Sequence, residues 1–379
     1  MFEYQKTGRF FAQAAGKMEE LAAAELKEYG VKEIKPAYRG VWFQTDLDHI
    51  YRINFRARLI SRVLATLLTF ECHSTKYLHK TAMNIEWDKL MTPDSTFAIF
   101  ATVGNSKISH SKYAALVLKD AIADYFKEKF GKRPSVDREN PDLWVNLHID
   151  HDKARISIDL SGGSLHKRGY RKETVPAPMQ ETLAAAIIRA SGWKGDTPIY
   201  DPMCGSGTLL AEALLHYRRL PSAYRRTNFG FTHLPDFDKA AWDKIVEDSK
   251  RLVRPLPENL IAGSDIGYRA IEAARTNLGS IPDGNKVNLK KLDFKKHPGI
   301  QNGTIVCNPP YGIRLGTEEE VAQLYTELGD WLKQKCKGST AYIYCGNREL
   351  IGKLGLKPSF KLPLVNGNLD GRLVKLEMY

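Results

Sequence analysis

With 379 residues, 43% hydrophobic and 26% charged, the chain has material for two or three soluble domains. A formal net charge of +12, spread over both halves, suits a polyanionic partner such as nucleic acid and equally an ordinary basic protein. The longest apolar stretches are strand-sized and the N-terminus lacks a signal-peptide pattern, while the five cysteines form no Cys-x-x-Cys pair. The expectation is therefore a reducing cytoplasm with no membrane, no zinc and no disulfide framework.

In chain order, the first 60 residues read strand, helix, strand, strand, helix. Phe10–Ala14 is a short strand, Met18–Tyr29 a helix stopped by Gly30, and Val41–Phe43 a strand. Asp46 or Asp48 then caps a helix to about Arg58. A second unit follows, with strands at Val63–Phe70 and Phe97–Val103 and a helix at Ser111–Phe130. Leu143–Ile149 and Ala154–Leu160 form a hairpin around His151-Asp152. Residues 161–178, rich in Gly, Pro and charge, read as a linker.

Beyond the linker the pattern alternates. Strands are expected at Pro198–Tyr200, Leu260–Gly263, Val287–Leu289, Thr304–Cys307 and Thr340–Tyr344. Helices are expected at Glu181–Ala190, Thr208–Tyr217, Tyr268–Leu278 and Glu318–Lys335, which predicts a parallel sheet covered on both faces. Two final strands, Phe360–Leu364 and Arg372–Met378, flank the turn dipeptides Asn366-Gly367 and Asp370-Gly371. The segment Arg218–Glu258, with Arg218, Arg219, Arg225 and Arg226 and a helix near Asp238–Leu252, reads as an insertion facing substrate or solvent.

Four motifs carry chemistry. Asp201-Pro202-Met203-Cys204-Gly205-Ser206-Gly207-Thr208 follows a strand and opens a helix, and its glycines let the backbone approach a ligand. It lacks the third glycine of a dinucleotide fingerprint and the lysine of a P-loop. Asp265-Ile266 ends the next strand, where a carboxylate accepts from a ribose diol or caps the following helix. Asp293-Phe294 after the third strand offers an acceptor for an adenine amine and a ring to pack on it. Asn308-Pro309-Pro310-Tyr311 follows the fourth strand. An exocyclic base amine is a poor nucleophile because its lone pair is delocalised. The Asn308 side-chain oxygen and the Pro309 carbonyl would accept both amine hydrogens and free that lone pair for in-line attack on a sulfonium methyl. Pro310 stiffens the turn and Tyr311 offers a face for an unstacked base. Cys204 and Cys307 read as packing residues, and His148 and His151 as hairpin residues.

These motifs resemble those of class I methyltransferases acting on nucleic-acid amines. The resemblance implies S-adenosylmethionine as cofactor, with Glu181 and Thr182 of Pro178–Thr182 bordering its methionine end. Upstream, residues 1–62 resemble a ferredoxin-like domain and 63–160 a THUMP RNA-binding domain, with 161–178 as linker and 179–379 as the catalytic domain. The fold class implied is α/β: a Rossmann-like methyltransferase domain preceded by α+β ferredoxin-like and THUMP domains. The whole chain is similar to THUMP-containing methyltransferases that make N2-methylguanosine in 23S rRNA. Alternatives are an adenine-N6 DNA methyltransferase and a non-catalytic RNA-binding assembly factor. The resemblance makes large-subunit rRNA the partner, and a guanine nucleotide is expected to enter the target-base pocket, lined by backbone around Tyr311–Arg314. Lys167, Arg168, Tyr170, Arg171 and Lys172, with Arg52, Arg56 and Arg62, are the expected RNA contacts.

Overall fold

Buried and half-exposed residues alternate along Arg9–Ala14 and Gly40–Gln44, so each strand turns one face to a core. The computed structural model describes residues 1–174, 178–312, 317–367 and 369–379. It divides into two units: residues 1–14, 22–165 and 226–246 in the first, and 15–21, 166–225 and 247–379 in the second.

The N-terminal part runs α1 (Glu3–Thr7), β1 (Arg9–Ala14), α2 (Glu19–Glu28), β2 (Lys32–Ala37), β3 (Gly40–Gln44) and α3 (Leu47–Arg56). It continues with β4 (Ile60–Glu71), α4 (Thr75–Ala82), β5 (Thr96–Gly104), α5 (Ser111–Phe130), β6 (Ser135–Val136), β7 (Leu143–Asp150) and β8 (Lys153–Asp159). All eight strands join one sheet, in the order β2-β3-β1-β4-β8-β7-β5-β6. Strand β4 pairs antiparallel with both β1 and β8, so the expected boundary at residue 62 falls inside a shared strand. Asp46 is the cap of α3, accepting the His49 N–H at 3.0 Å.

By their contacts residues 226–246 group with the first unit, although they lie within the span 179–379 read from the sequence as one domain. The cause is aromatic. Phe229, Phe231, Phe237 and Trp242 close on Tyr51 and Phe55 of α3, with centroids 4.7 Å apart for Tyr51–Phe231 and 5.2 Å for Phe55–Trp242. Gly230 permits the approach, since a Cβ there would lie 1.9 Å from the Asp159 carbonyl oxygen. Arg226 donates to the carbonyls of Ser161, Gly162 and Ser164 at 2.9, 3.0 and 2.8 Å.

After the linker come α6 (Glu181–Ser191), β9 (Ile199–Asp201), α7 (Thr208–Arg218), α8 (Lys239–Arg251), β10 (Ile261–Asp265) and α9 (Tyr268–Gly279). Then follow β11 (Asn288–Lys291), β12 (Thr304–Cys307), α10 (Glu318–Lys335), β13 (Thr340–Cys345), β14 (Phe360–Asn366) and β15 (Leu369–Glu377). The second sheet has the order β11-β10-β9-β12-β13-β15-β14. Its first five strands are parallel, and β15 runs antiparallel to β13 and β14. Asp370-Gly371, expected at a turn, lies within β15 opposite Val365 and Leu364. The chain leaves β9 for β10 and β11 on one side and returns to β12 on the other, so the strand order reverses at β9, and the carboxyl end of such a point is where open α/β sheets bind ligands. Among the described residues no helix is long and apolar enough to cross a membrane. All five cysteines are unpaired and buried.

Candidate active site

The loop after β9 is pinned to the end of β10. Cys204 N–H donates to the Ser264 carbonyl at 2.9 Å and Gly207 N–H to the Cys204 carbonyl at 2.8 Å. Gly205 N–H donates to Asp265 Oδ2 at 2.9 Å, and Gly267 N–H to Asp265 Oδ1 at 2.8 Å. Asp265 thus organises two turns and keeps lone pairs over for a further donor. Gly205 and Gly207 have φ of 53° and 80°, a conformation a side chain would strain. Asp201 is buried; loss of water raises its carboxyl well above the usual range, and the neighbouring Asp265 charge pushes the same way, against one bond from Met203 N–H. Ser206 and Thr208 are buried, while Pro202 and Met203 complete the turn. Ile266 stands 69% exposed beside Asp265.

One residue with no recognisable motif locks this loop from behind. Asn277 of α9, 1% exposed, donates to the Ser206 carbonyl at 3.0 Å and the Glu173 carbonyl at 2.9 Å. Its Oδ1 accepts from Lys172 and Glu173 N–H at 2.7 and 2.9 Å.

After β12, Asn308 Oδ1 is shielded from solvent and has no hydrogen-bond partner among the described residues. A buried acceptor left open costs the folded state roughly 1–3 kcal/mol. Pro309 is buried and Pro310 half-buried. The Tyr311 ring stands edge-on to Tyr344, centroids 6.4 Å apart at 81°, and its hydroxyl accepts from Asn366 at 3.3 Å. It lies over Gly346, where a Cβ would come within 2.5 Å of the ring. Arg314, at the end of the segment expected to line the base pocket, lies outside the described residues.

Several expectations are corrected. Phe294 does not offer a free ring: it is 4% exposed, edge-on to Trp331 at 5.9 Å, inside the core between α10 and the sheet. Asp293 caps the following turn by accepting from Lys295 N–H at 3.0 Å. Of the expected RNA-binding run, only Lys167 and Lys172 extend into solvent. Arg168 has a fully buried side chain 3.5 Å from the equally buried Glu212, and the buried Tyr170 hydroxyl donates to Glu212 at 3.2 Å. Burial, then the Glu212 charge, pushes the Tyr170 hydroxyl well above its ordinary pKa. Arg171 donates through Nε to Glu181 at 2.9 Å and through Nη2 to the Met179 carbonyl and Thr208 Oγ1, at 2.8 and 3.2 Å. Glu181 and Thr182 are themselves buried. Arg62 pairs with the buried Asp159 and lies 4.3 Å over the Phe100 ring, while Arg56 is half-buried. Of the arginines expected to face substrate, Arg218 and Arg225 bond backbone carbonyls in the second unit and Arg226 does so in the first.

Comparison with known proteins agrees with this geometry. Residues 168–375 match the model of the RMKL-like methyltransferase domain. The chain belongs to that family. Residues 72–159 match the THUMP domain and 9–64 the RlmL ferredoxin-like domain. A putative RNA methyltransferase of Synechocystis is 38% identical over 98% of this chain and 97% of its own length. A ribosomal RNA large subunit methyltransferase K/L of Syntrophotalea carbinolica is also 38% identical, over 98% of this chain and 53% of its own. The chain therefore spans about half the length of the K/L relatives. Among solved structures, a putative methyltransferase complexed with SAH superposes with a TM-score of 0.87 at 27% identity, covering 98% of each chain. A predicted N6-adenine-specific DNA methylase of Listeria monocytogenes gives 0.85 at 26%, covering 99% of this chain and 97% of that one. The protein is a methyltransferase whose cofactor is S-adenosylmethionine, with the RNA-binding THUMP domain before the catalytic domain.

Proposed function

We propose that this methyltransferase methylates the exocyclic N2 amine of a guanosine in 23S rRNA. The observation that carries the reading is Asn308: an acceptor, shielded and open, at the carboxyl end of β12. Together with the Pro309 carbonyl it would take both amine hydrogens of a base lying on Tyr311, turning the nitrogen lone pair outward. S-adenosylmethionine supplies an electrophilic methyl on sulfur. Asp265 and the exposed Ile266 suit its ribose and adenine, and Asp293 keeps an acceptor for the adenine amine. The loop Asp201–Thr208 brings backbone close to it, with Glu181 and Thr182 along its methionine end. Lys167 and Lys172 are the members of the basic run left to meet phosphate.

The names of the K/L relatives and the THUMP domain support rRNA as substrate; the chemistry at Asn308 would serve adenine N6 equally. Guanine presents a ring N–H and then a carbonyl beside its amine, so a free guanine nucleotide should enter the pocket in preference to an adenine one. Five unpaired cysteines suit the cytoplasm as the place of action. The test is methyl transfer from a labelled donor to ribosomal RNA lacking the modification, followed by digestion to nucleosides. N2-methylguanosine is expected. N6-methyladenosine would overturn the base assignment, and methylated duplex DNA with inert RNA would overturn the substrate class.

A further inference from the structure

Arg171 stands in a basic run yet its guanidinium is turned inward, with a side chain 19% exposed. Three of its hydrogen bonds tie separate parts of the site together. Nε reaches Glu181 at the start of α6, and Nη2 reaches both the Met179 carbonyl before α6 and Thr208 Oγ1 at the start of α7. Its remaining nitrogen, Nη1, is shielded from solvent and has no partner among the described residues. A guanidinium is always charged and carries five donors, so a shielded nitrogen with none of its hydrogens accepted is costly unless an acceptor joins it. Arg171 also accounts for Thr208: by donating to Oγ1 it uses a lone pair of that hydroxyl and leaves its hydrogen to point elsewhere.

The strand order says which part of the cofactor this corner faces. The ribose and adenine acceptors Asp265 and Asp293 follow β10 and β11, on one side of β9. Asn308, where the methyl must arrive, follows β12 on the other side. The third substituent on sulfur, the amino-acid chain, is then left to the loop after β9, where Thr208 and its Arg171 stand. That chain ends in a carboxylate, and a guanidinium is its geometric complement.

We propose that Arg171 positions the amino-acid end of S-adenosylmethionine, holding Thr208 and Met179–Glu181 in place and offering Nη1 to the cofactor's carboxylate. The proposal rests on the cofactor site described above and assigns Arg171 to it in place of RNA. The test compares two ligands by calorimetry: S-adenosylhomocysteine, and methylthioadenosine, which lacks the amino-acid chain. Arg171→Gln should weaken S-adenosylhomocysteine by about 10-fold or more, the scale of a broken charge-assisted bond, and leave methylthioadenosine unchanged. Arg171→Lys should recover part of the affinity, and the KM for S-adenosylmethionine should rise with kcat nearly constant. Equal weakening of both ligands would reduce Arg171 to a structural strut and overturn the proposal; so would weakening of neither. If the Gln variant does not fold, the wild-type protein still decides. Decarboxylated S-adenosylhomocysteine should bind about 10-fold more weakly than the parent, and equal binding would overturn the carboxylate contact. Failure of wild-type protein to bind either nucleoside would instead overturn the cofactor site itself.

Discussion

Replacing Asn308 by alanine should raise the stability of the ligand-free protein while destroying its activity. Among the described residues Asn308 Oδ1 is shielded without a partner, which costs the folded state roughly 1–3 kcal/mol. Alanine removes that penalty and forfeits some packing, roughly 0.5–1 kcal/mol for a half-buried side chain. The net gain is about 1 kcal/mol, or roughly 2–4 °C in the melting temperature of a unit this size. Turnover should fall by about 10²–10³-fold, the scale for losing one preorganised hydrogen-bonding group. Scanning calorimetry without cofactor reads the first effect, and labelled methyl transfer to RNA at saturating cofactor reads the second. A lower melting temperature with near-normal turnover would refute the reasoning on both counts, because it would make Asn308 an ordinary structural residue.

Gly346→Ala should displace the Tyr311 ring, since its new Cβ would lie 2.5 Å away, and lower kcat without changing S-adenosylhomocysteine affinity in calorimetry. Asp265→Ala should weaken S-adenosylhomocysteine by about 10-fold or more, because it removes an acceptor for the ribose and frees the Gly205 and Gly267 amides; unchanged affinity would leave Asp265 a turn-former only. Arg168→Ala removes the cation paired with the buried Glu212 and should cost roughly 3–5 kcal/mol in denaturant unfolding. Lys167→Ala with Lys172→Ala should leave stability alone and lower the log–log salt slope of RNA binding by about 0.7–0.9 for each phosphate no longer neutralised.

The strand–helix alternation and the four loop motifs were legible in the sequence because each is local: a period, a glycine pair, a proline pair. Helices Ser111–Phe130 and Glu318–Lys335 and strand Thr304–Cys307 fall where periodicity and caps place them. The orientation of His166–Lys172 was not legible, because a run of cations, glycine and tyrosine reads as a solvated patch unless its partner is known. A signal did exist: Glu212 is the lone acid in the apolar stretch Leu209–Leu215, and a carboxylate on that face requires a buried cation. Phe294 misled for the opposite reason, since one aromatic after a strand looks alike whether it meets a ligand or Trp331. Asn277 and Gly346 act through atoms distant in the chain and leave no pattern at all.

The aromatic closure of Tyr51 and Phe55 by Phe229, Phe231 and Trp242 has a consequence for synthesis. The N-terminal unit needs residues 226–246 to complete its core, so it cannot finish folding when residue 165 leaves the ribosome. It must wait, with Tyr51 and Phe55 uncovered, while the first third of the catalytic unit is made. A fragment ending at the linker would keep that aromatic face bare and should aggregate, whereas one carrying residues 226–246 on a flexible tether should fold.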